Sequence, residues 1–168
     1  MPKLIKDRII VEDDWQLIRA DAAGEIAALP PQDKFIVPLQ FWLANREMLL
    51  KRGAPIGVWL DSHEEPRDIA QDIGRFPLIA VNFPKFTDGR GYSIGRLLRE
   101  RYGYKNELRA IGDVLRDQLL YLMRCGFNAF ALRADKNIED AVKAFSDFSE
   151  VYQASVEQPI PLFRRRLA

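Results

Sequence analysis

Residues 77–101 read PLIAVNFPKFTDGRGYSIGRLLRER, and they predict one strand, one loop and one helix. The apolar run Pro77–Val81 is typical of a buried strand. Ser93 is an N-cap candidate for a helix over Ile94–Arg101, because its hydroxyl can accept a hydrogen bond from a backbone N–H of the first turn. A strand followed by a helix is the repeating unit of α/β proteins, so this stretch predicts that fold class.

The same unit recurs about five times along the chain. Further strands are predicted at 35–38, 56–60, 107–111 and 129–132, and helices at 40–51, 114–124 and 138–154, with a short helix starting near Pro66. Alternating strands and helices imply a parallel sheet with right-handed crossovers. An open layered sheet and a partial β/α barrel both satisfy this pattern, and both bring the carboxyl ends of the strands to one rim.

The two ends of the chain depart from this alternation. Residues 7–18 alternate apolar and polar side chains and predict a short N-terminal hairpin. We therefore divide the chain into a hairpin and linker packed on the main domain (1–34), an α/β domain (35–157) and an extended C-terminal tail (158–168).

The composition argues against several classes of function. Lys and Arg number 25 against 24 Asp and Glu, so the net charge of +1 provides no global field for nucleic acid or a membrane surface. A single cysteine cannot ligate an iron–sulfur cluster or form an internal disulfide. These features, with no long apolar segment, predict a cytoplasmic protein without a membrane span, and without an iron–sulfur cluster or haem of its own. Any other cofactor stays open.

The loop over residues 82–93 is the main candidate site. Its candidate ligand-binding residues are Lys85, Asp88, Gly89, Arg90, Gly91 and Ser93. The two cations can neutralise an anion, and the two glycines can take positive φ and bring backbone N–H groups close to it. Asp88 can orient Arg90, or it can cap an Asp-Gly turn whose cations are merely solvated. The loop therefore predicts a small-anion site, with a tight turn as the alternative.

Other strand ends add polar residues to the same rim. They are Asp61, Ser62, His63, Asn82, Gly112, Asp113, Arg133 and Asp135. Arg133 is a further ligand-binding candidate, or a partner for a rim carboxylate. Asp113 precedes a helical run, so it can act as an N-cap or as an acid.

Metal and nucleophile chemistry are less favoured. His63 is the only histidine and is expected on a surface loop, which weakens any metal-hydrolase interpretation. We predict no metal site, although a carboxylate site for magnesium from Asp61, Asp88 and Asp113 stays open. Cys125 follows an apolar helix and is expected to be a buried, inert thiol.

Motifs beyond about Val58 resemble a known bacterial family. They are Phe83-Pro84-Lys85-Phe86, Asp88-Gly89-Arg90-Gly91-Tyr92-Ser93, Arg96-Leu97-Leu98-Arg99, Gly103-Tyr104, Glu107-Leu108-Arg109-Ala110, Gly112-Asp113-Val114, Asp117-Gln118 and Arg124-Cys125-Gly126-Phe127. Together they resemble the family called domain of unknown function 934. The resemblance implies an oxidoreductase or an accessory protein of sulfite reduction, because members are described as encoded beside the sulfite reductase haemoprotein. It implies no catalytic residues.

The residues favour the accessory role, because one cysteine and no dinucleotide fingerprint do not make a self-contained reductase. In that role the protein binds sulfite reductase or a small anionic ligand through the loop 82–93. One alternative is a barrel-like lyase, isomerase or phosphate-ester enzyme, with Lys85 as base or Schiff-base nucleophile and Asp113 as its acid partner. Another is a structural protein-interaction module, and an apolar hairpin or helix face is compatible with a homodimer.

Overall fold

The computed structural model describes residues 2–19, 29–147 and 150–165. The strands are β1 (Lys3–Lys6), β2 (Ile9–Glu12), β3 (Trp15–Leu17), β4 (Lys34–Pro38), β5 (Ile56–Leu60), β6 (Leu78–Phe83), β7 (Glu107–Gly112) and β8 (Ala129–Phe130). The helices are α1 (Leu39–Leu50), α2 (Arg90–Glu100), α3 (Leu119–Arg124), α4 (Ile138–Ala141) and α5 (Leu162–Arg165). Short 3-10 helices cover Pro66–Ile69, Ile73–Arg75, Arg116–Gln118 and Val142–Ser146. Across these described ranges, no helix is long and apolar enough to cross a membrane.

The eight strands form one curled sheet, a half-barrel, in the order β2-β1-β8-β7-β6-β5-β4-β3. Strands β3 to β8 are parallel, but β1 runs antiparallel to both β8 and β2. The prediction of a mixed α and β fold with alternating strands and helices is confirmed, whereas a purely parallel sheet is wrong. The reason is that the N-terminal hairpin joins the sheet instead of standing beside it.

The hairpin is present, but β1 and β2 form it, so it begins before the predicted range 7–18. Strand β1 pairs with β2 through a two-residue turn, Asp7 and Arg8, both at positive φ. Such a turn matches the twist of the two strands and is usually built from Asn or Gly, so Asp-Arg is a weak sequence signal. The third segment, β3, leaves the hairpin and pairs in parallel with β4.

The two edge strands of the sheet are consecutive in sequence. Only Asp13 and Asp14 separate β2 from β3, although these strands lie at opposite ends of the strand order. Three Cα steps span at most about 11 Å, so the sheet must curl until its two edges meet at this link. The backbone N–H of Asp13 donates to the carbonyl of Pro2 at 2.8 Å, which ties the link to the start of β1.

Both faces of the sheet are covered, as expected for parallel strands. On the outer face, alternate residues such as Val58, Ile79 and Val81 pack with apolar residues of the helices. On the concave face Ile36, Leu78, Ala80 and Ile111 pack together, with the indoles of Trp15 and Trp59 against them. All six residues of β6 are buried, so the run quoted above is a central strand.

Several predicted helix boundaries are wrong. The helix predicted over 138–154 is shorter than expected. Helix α4 continues into one 3-10 helix that ends at Ser146, and residues 150–154 are not helical. The backbone of residues 150–154 contacts α3 instead, since Nη2 of Arg124 donates to the carbonyl of Gln153 at 3.1 Å. The tail predicted as extended contains α5.

Candidate functional site

The carboxyl ends of β5 and β6 bring predicted rim residues into contact. Asn82, at the end of β6, donates from Nδ2 to Asp61 Oδ1 at 3.0 Å. Arg90, the first residue of α2, donates from Nη2 to Ser62 Oγ at 2.9 Å. The side chains gather here because parallel strands end at the same edge of the sheet.

Asp88 holds Arg90 in a two-point contact. The guanidinium donates from Nε to Oδ1 at 3.0 Å and from Nη2 to Oδ2 at 2.7 Å. This contact, and then a hydrogen bond with Ser62, holds the pKa of Asp88 well below its usual range, while Asp88 raises the pKa of Arg90. Asp88 therefore orients Arg90, and its Oδ1 also accepts the backbone N–H of Arg90 at 3.2 Å, which is the turn contact of the alternative interpretation. The carboxylate neutralises the charge that an incoming anion would meet.

Arg133 is neutralised in a second cluster. Its Nη1 contacts Asp113 Oδ1 at 2.8 Å, and its Nε contacts Asp135 Oδ1 at 2.6 Å. These contacts raise the pKa of Arg133, those with Asp135 first, and they lower the pKa of Asp135 well below its usual range. Arg133 therefore pairs with rim carboxylates, one of the two roles its position suggested.

Asp113 is not a helix cap. The residue that caps the following 3-10 helix is Leu115. Instead, Asp113 Oδ2 accepts the backbone N–H of Phe86 at 3.0 Å, while Oδ1 accepts from Arg133. Asp113 thus anchors the loop after β6 to the loop after β8, and both of its carboxylate oxygens are occupied.

The glycines of the loop do not have the predicted conformation. Gly89 has φ −85° and caps α2, and Gly91 lies inside that helix, so neither takes positive φ. Because α2 begins at Arg90, Ser93 is an exposed residue within the helix, and the N-cap prediction is wrong. Gly91 is required for packing instead, since a Cβ there would come within 2.6 Å of the Phe83 ring.

Gly112 is the rim glycine that needs positive φ. Its φ is +95°, and an added Cβ would lie 2.4 Å from the carbonyl oxygen of Phe83. The next residue, Asp113, donates its N–H to that same carbonyl at 2.7 Å. Gly112 therefore allows the end of β7 to approach the end of β6, which places Asp113 at the rim.

Lys85 and Phe86 project from the rim loop, which we define as residues 84–90. Both side chains are exposed, and that of Phe86 is 48% exposed. The ion pairs among the described residues include none between Lys85 and a carboxylate, and in particular none with Asp113. Four cavities lie elsewhere in the described residues, and none of Lys85, Arg90 and Arg133 lines them.

The remaining candidates are His63, the carboxylates of the magnesium alternative and Cys125. His63 is exposed, with Nδ1 3.6 Å from Asp61 Oδ2. In the part of the chain that the structure describes, no three His, Cys, Asp or Glu side chains are grouped to hold a metal ion. Cys125 is buried at the end of α3, and burial raises the pKa of its thiol.

Comparison with protein families decides the membership of the chain. A family model described as "Bacterial protein of unknown function (DUF934)" matches residues 57–163, well over half of the chain. The chain belongs to the DUF934 family. Comparison with curated proteins and with solved structures produced no match.

The region matched by DUF934 contains β5 except for its first residue, β6 to β8, and the rim residues described above. It also contains Arg99 and Arg109, whose structural roles the sequence did not predict. Arg109 is buried on the concave face, and Arg99 contacts backbone carbonyls at the other end of the sheet. A cation inside the apolar run Leu108–Ile111 was the available signal for Arg109, because such a residue must find a buried partner.

Proposed function

We propose that this protein is a cytoplasmic accessory protein that binds another protein through the rim loop. The observation that carries the proposal is the exposed ring of Phe86 on an anchored backbone. The N–H of Phe86 is fixed by Asp113 at 3.0 Å, and the N–H of Asp88 donates to the carbonyl of Lys85 at 3.0 Å. An aromatic side chain on a preorganised loop loses little conformational freedom on binding, which is typical of interface hot spots.

The partner we propose is sulfite reductase. This choice rests on what the resemblance of the motifs implies, since the description of the matching family names no function. It agrees with a chain whose single buried cysteine cannot hold an iron–sulfur cluster. The ammonium of Lys85, beside Phe86, would pair with a carboxylate at the edge of such an interface.

A small-anion site is the second candidate, and the observation that favours it is Lys85. This cation has no carboxylate partner among the described ion pairs, so it is available to an anion. The two arginines expected to help are already paired, and an anion would have to displace Asp88 or Asp113 to reach them. For this reason a protein surface fits the geometry better than a small-anion site.

The enzymatic alternative has less support. A lysine acting as base or Schiff-base nucleophile requires a desolvated amine, and Lys85 is exposed. Its proposed acid partner, Asp113, already accepts hydrogen bonds on both oxygens. A borohydride-trapped adduct that disappears in Lys85→Ala would reverse this ranking.

The test measures binding of the purified protein to purified sulfite reductase haemoprotein by biolayer interferometry. Phe86→Ala should weaken binding by at least about tenfold, as expected for a hot-spot aromatic. Met48→Ala is the matched control, because Met48 is 54% exposed but lies on α1. Light scattering of the same samples reports whether the protein is a homodimer.

Two results would overturn the proposal. One is the absence of binding between the wild-type protein and the reductase, and the other is equal binding by wild type and Phe86→Ala. If sulfate or sulfite binds wild type but not Lys85→Ala, while the reductase does not bind, the small-anion candidate replaces the protein interface.

A further inference from the structure

A cavity lies at the opposite end of the sheet from the rim. Its volume is about 350 Å³, which is within the range of small-molecule sites. Phe127 and Asn128, which precede β8, form one wall together with Phe130 and Met123. Val156 and Glu157 form the opposite wall. They belong to the C-terminal segment, which we define as residues 150–165.

The cavity continues beneath the C-terminal segment on both sides. A second cavity of about 360 Å³ shares Arg8, Met123 and Glu157 with the first. A third, of about 410 Å³, shares Arg99 and Val156. The C-terminal segment therefore covers a groove instead of packing tightly on the strand ends.

Arg99 supplies a positive charge at this cavity without a carboxylate partner among the described residues. Its Nε donates to the carbonyl of Gly126 at 2.8 Å, and its Nη1 donates to the carbonyls of Tyr104 and Asn106 at 2.7 and 2.8 Å. Its Nη2 donates once, to the Asn128 side chain at 3.2 Å. A guanidinium has five N–H donors, so one N–H on Nη2 has no partner within the described ranges.

The groups that accept hydrogen bonds from Arg99 are neutral. The carboxylate of Asp7, which also lines the cavity and accepts from Asn128 Nδ2 at 3.2 Å, favours the cationic form of Arg99 without forming an ion pair with it. Burial lowers the pKa of Arg99, because partial desolvation disfavours the cation. An anion in the cavity would add a counter-charge in direct contact and accept the remaining N–H, and both effects favour the charged guanidinium.

An ion pair at the mouth holds the C-terminal segment over the cavity. Arg8, in the hairpin turn, pairs with Glu157 of the segment. Asp7 and Arg8 both have positive φ, which is unfavourable for residues other than glycine. In the same turn, the N–H of Asp7 donates to the carbonyl of Asn128 at 2.8 Å. The turn is thus fixed to the cavity wall on one side and to the C-terminal segment on the other.

We propose that this cavity binds a small organic acid, whose apolar body packs on Met123, Phe127 and Phe130 and whose carboxylate pairs with Arg99. This site is separate from the rim loop, so it does not depend on the function proposed above.

The test maps amide chemical shifts of the full-length protein in ¹⁵N-labelled form. The probes are benzoate and hexanoate, with benzyl alcohol and hexanol as neutral analogues of similar shape. The acids should shift the amides of Arg99, Gly126 and Asn128, and the alcohols should bind at least about tenfold more weakly, the factor that one charge-assisted hydrogen bond provides.

Two variants of the C-terminal segment separate cavity filling from general effects. Val156→Phe places a larger side chain in the cavity and should weaken acid binding by at least about tenfold. Ile160→Phe is the matched control, because Ile160 is 55% exposed on the same segment and should leave binding unchanged. Arg99→Gln, if folded by circular dichroism, should remove the preference for acids over alcohols.

Three results would overturn the inference. They are no shift at the cavity amides with either acid, equal affinity for acids and alcohols, and equal acid binding by Val156→Phe and wild type. The Val156→Phe comparison stands even if Arg99→Gln does not fold, because it leaves the carbonyl contacts of Arg99 intact.

Discussion

Arg109, on β7, contacts the carboxylate of Asp13 at 2.8 Å, so it reaches the link between the two edge strands of the sheet. The same guanidinium pairs with Glu107 at 2.7 Å, and Lys6 of β1 contacts that glutamate at 2.8 Å. Arg109 is only 2% exposed. The four side chains balance two positive with two negative charges on the concave face, and they connect β1, β7 and the β2–β3 link.

Arg109→Met is expected to lower the free energy of unfolding by about 3 to 5 kcal/mol, because it leaves the largely buried carboxylate of Asp13 without its cation and leaves Glu107 with Lys6 alone. Urea denaturation measures the change. Arg96→Met is the control, since Arg96 pairs with Glu100 on the exposed face of α2 and should cost no more than about 1 kcal/mol. Equal losses in the two variants would contradict a buried network that closes the sheet.

Three glycine substitutions separate backbone strain from steric overlap. Gly112→Ala combines positive φ with a contact to the Phe83 carbonyl, so it should cost about 3 kcal/mol or more. Gly103 has φ +64° and open space around it, so Gly103→Ala should cost only about 1 to 2 kcal/mol.

Gly74→Ala is the reference for this series, because nothing lies within 4 Å of an added Cβ and its φ is not positive. Its free energy of unfolding should stay within about 0.5 kcal/mol of wild type. Thermal and urea unfolding of the three variants test the expected order, and a Gly112→Ala protein as stable as Gly74→Ala would contradict the close approach of β6 and β7.

Asp72 makes stability depend on pH in the acid range. The carboxylate accepts from Arg46 at 2.7 and 2.8 Å and from the Trp42 indole at 3.3 Å, and Arg75 lies 3.5 Å away. Hydrogen bonding to Arg46 is the main cause that lowers the pKa of Asp72. Because the pKa is lower in the folded protein, the stabilisation is present above the unfolded pKa of about 3.9 and is lost as the pH falls through the folded value.

Asp72→Asn should therefore be less stable than wild type at neutral pH, and the difference should shrink below about pH 4. Urea denaturation from neutral to acid pH measures it. Asp68→Asn serves as the control, because Asp68 is more exposed and its nearest cation, Arg67, is 3.8 Å away. A difference between wild type and Asp72→Asn that does not change with pH would contradict the lowered pKa.

Cys125 should react slowly with thiol reagents in the folded protein. The residue is 8% exposed, and burial raises the pKa of its thiol, so little reactive thiolate is accessible. Labelling with an aromatic disulfide reagent should be at least about 100-fold slower in buffer than in urea, because reaction requires local opening. Similar rates in the two conditions would show that the thiol is accessible.

The central part of the fold could be predicted because its signals are local. Runs such as Pro77–Val81 and Ile56–Leu60 are apolar enough to be buried strands, and helices follow them at short distances. The antiparallel strand β1 could not be predicted in the same way. Its partner is β8, with Ile5 opposite Phe130, and no local pattern encodes a pairing over that separation.

The candidate site shows the same limit. Asp88 and Arg90 are two residues apart, so their contact could be inferred from the sequence. The positive φ of Gly112 follows from the position of the Phe83 carbonyl, which only the paired strands determine. The cavity near Arg99 could not be predicted because its walls come from the hairpin turn, the end of α3 and the C-terminal segment, which lie far apart in the sequence.

The pairing of β1 with β8 also has a consequence for biosynthesis. The hairpin is synthesised before the strands that follow it, and β8, the strand that must pair with β1, comes last among the eight strands of the sheet. Until then the edge of β1 (Lys3–Lys6) that faces away from β2 has no strand to pair with, and nascent chains with such unpaired edges are prone to aggregate. The yield of this protein should therefore depend on translation speed and on chaperone supply.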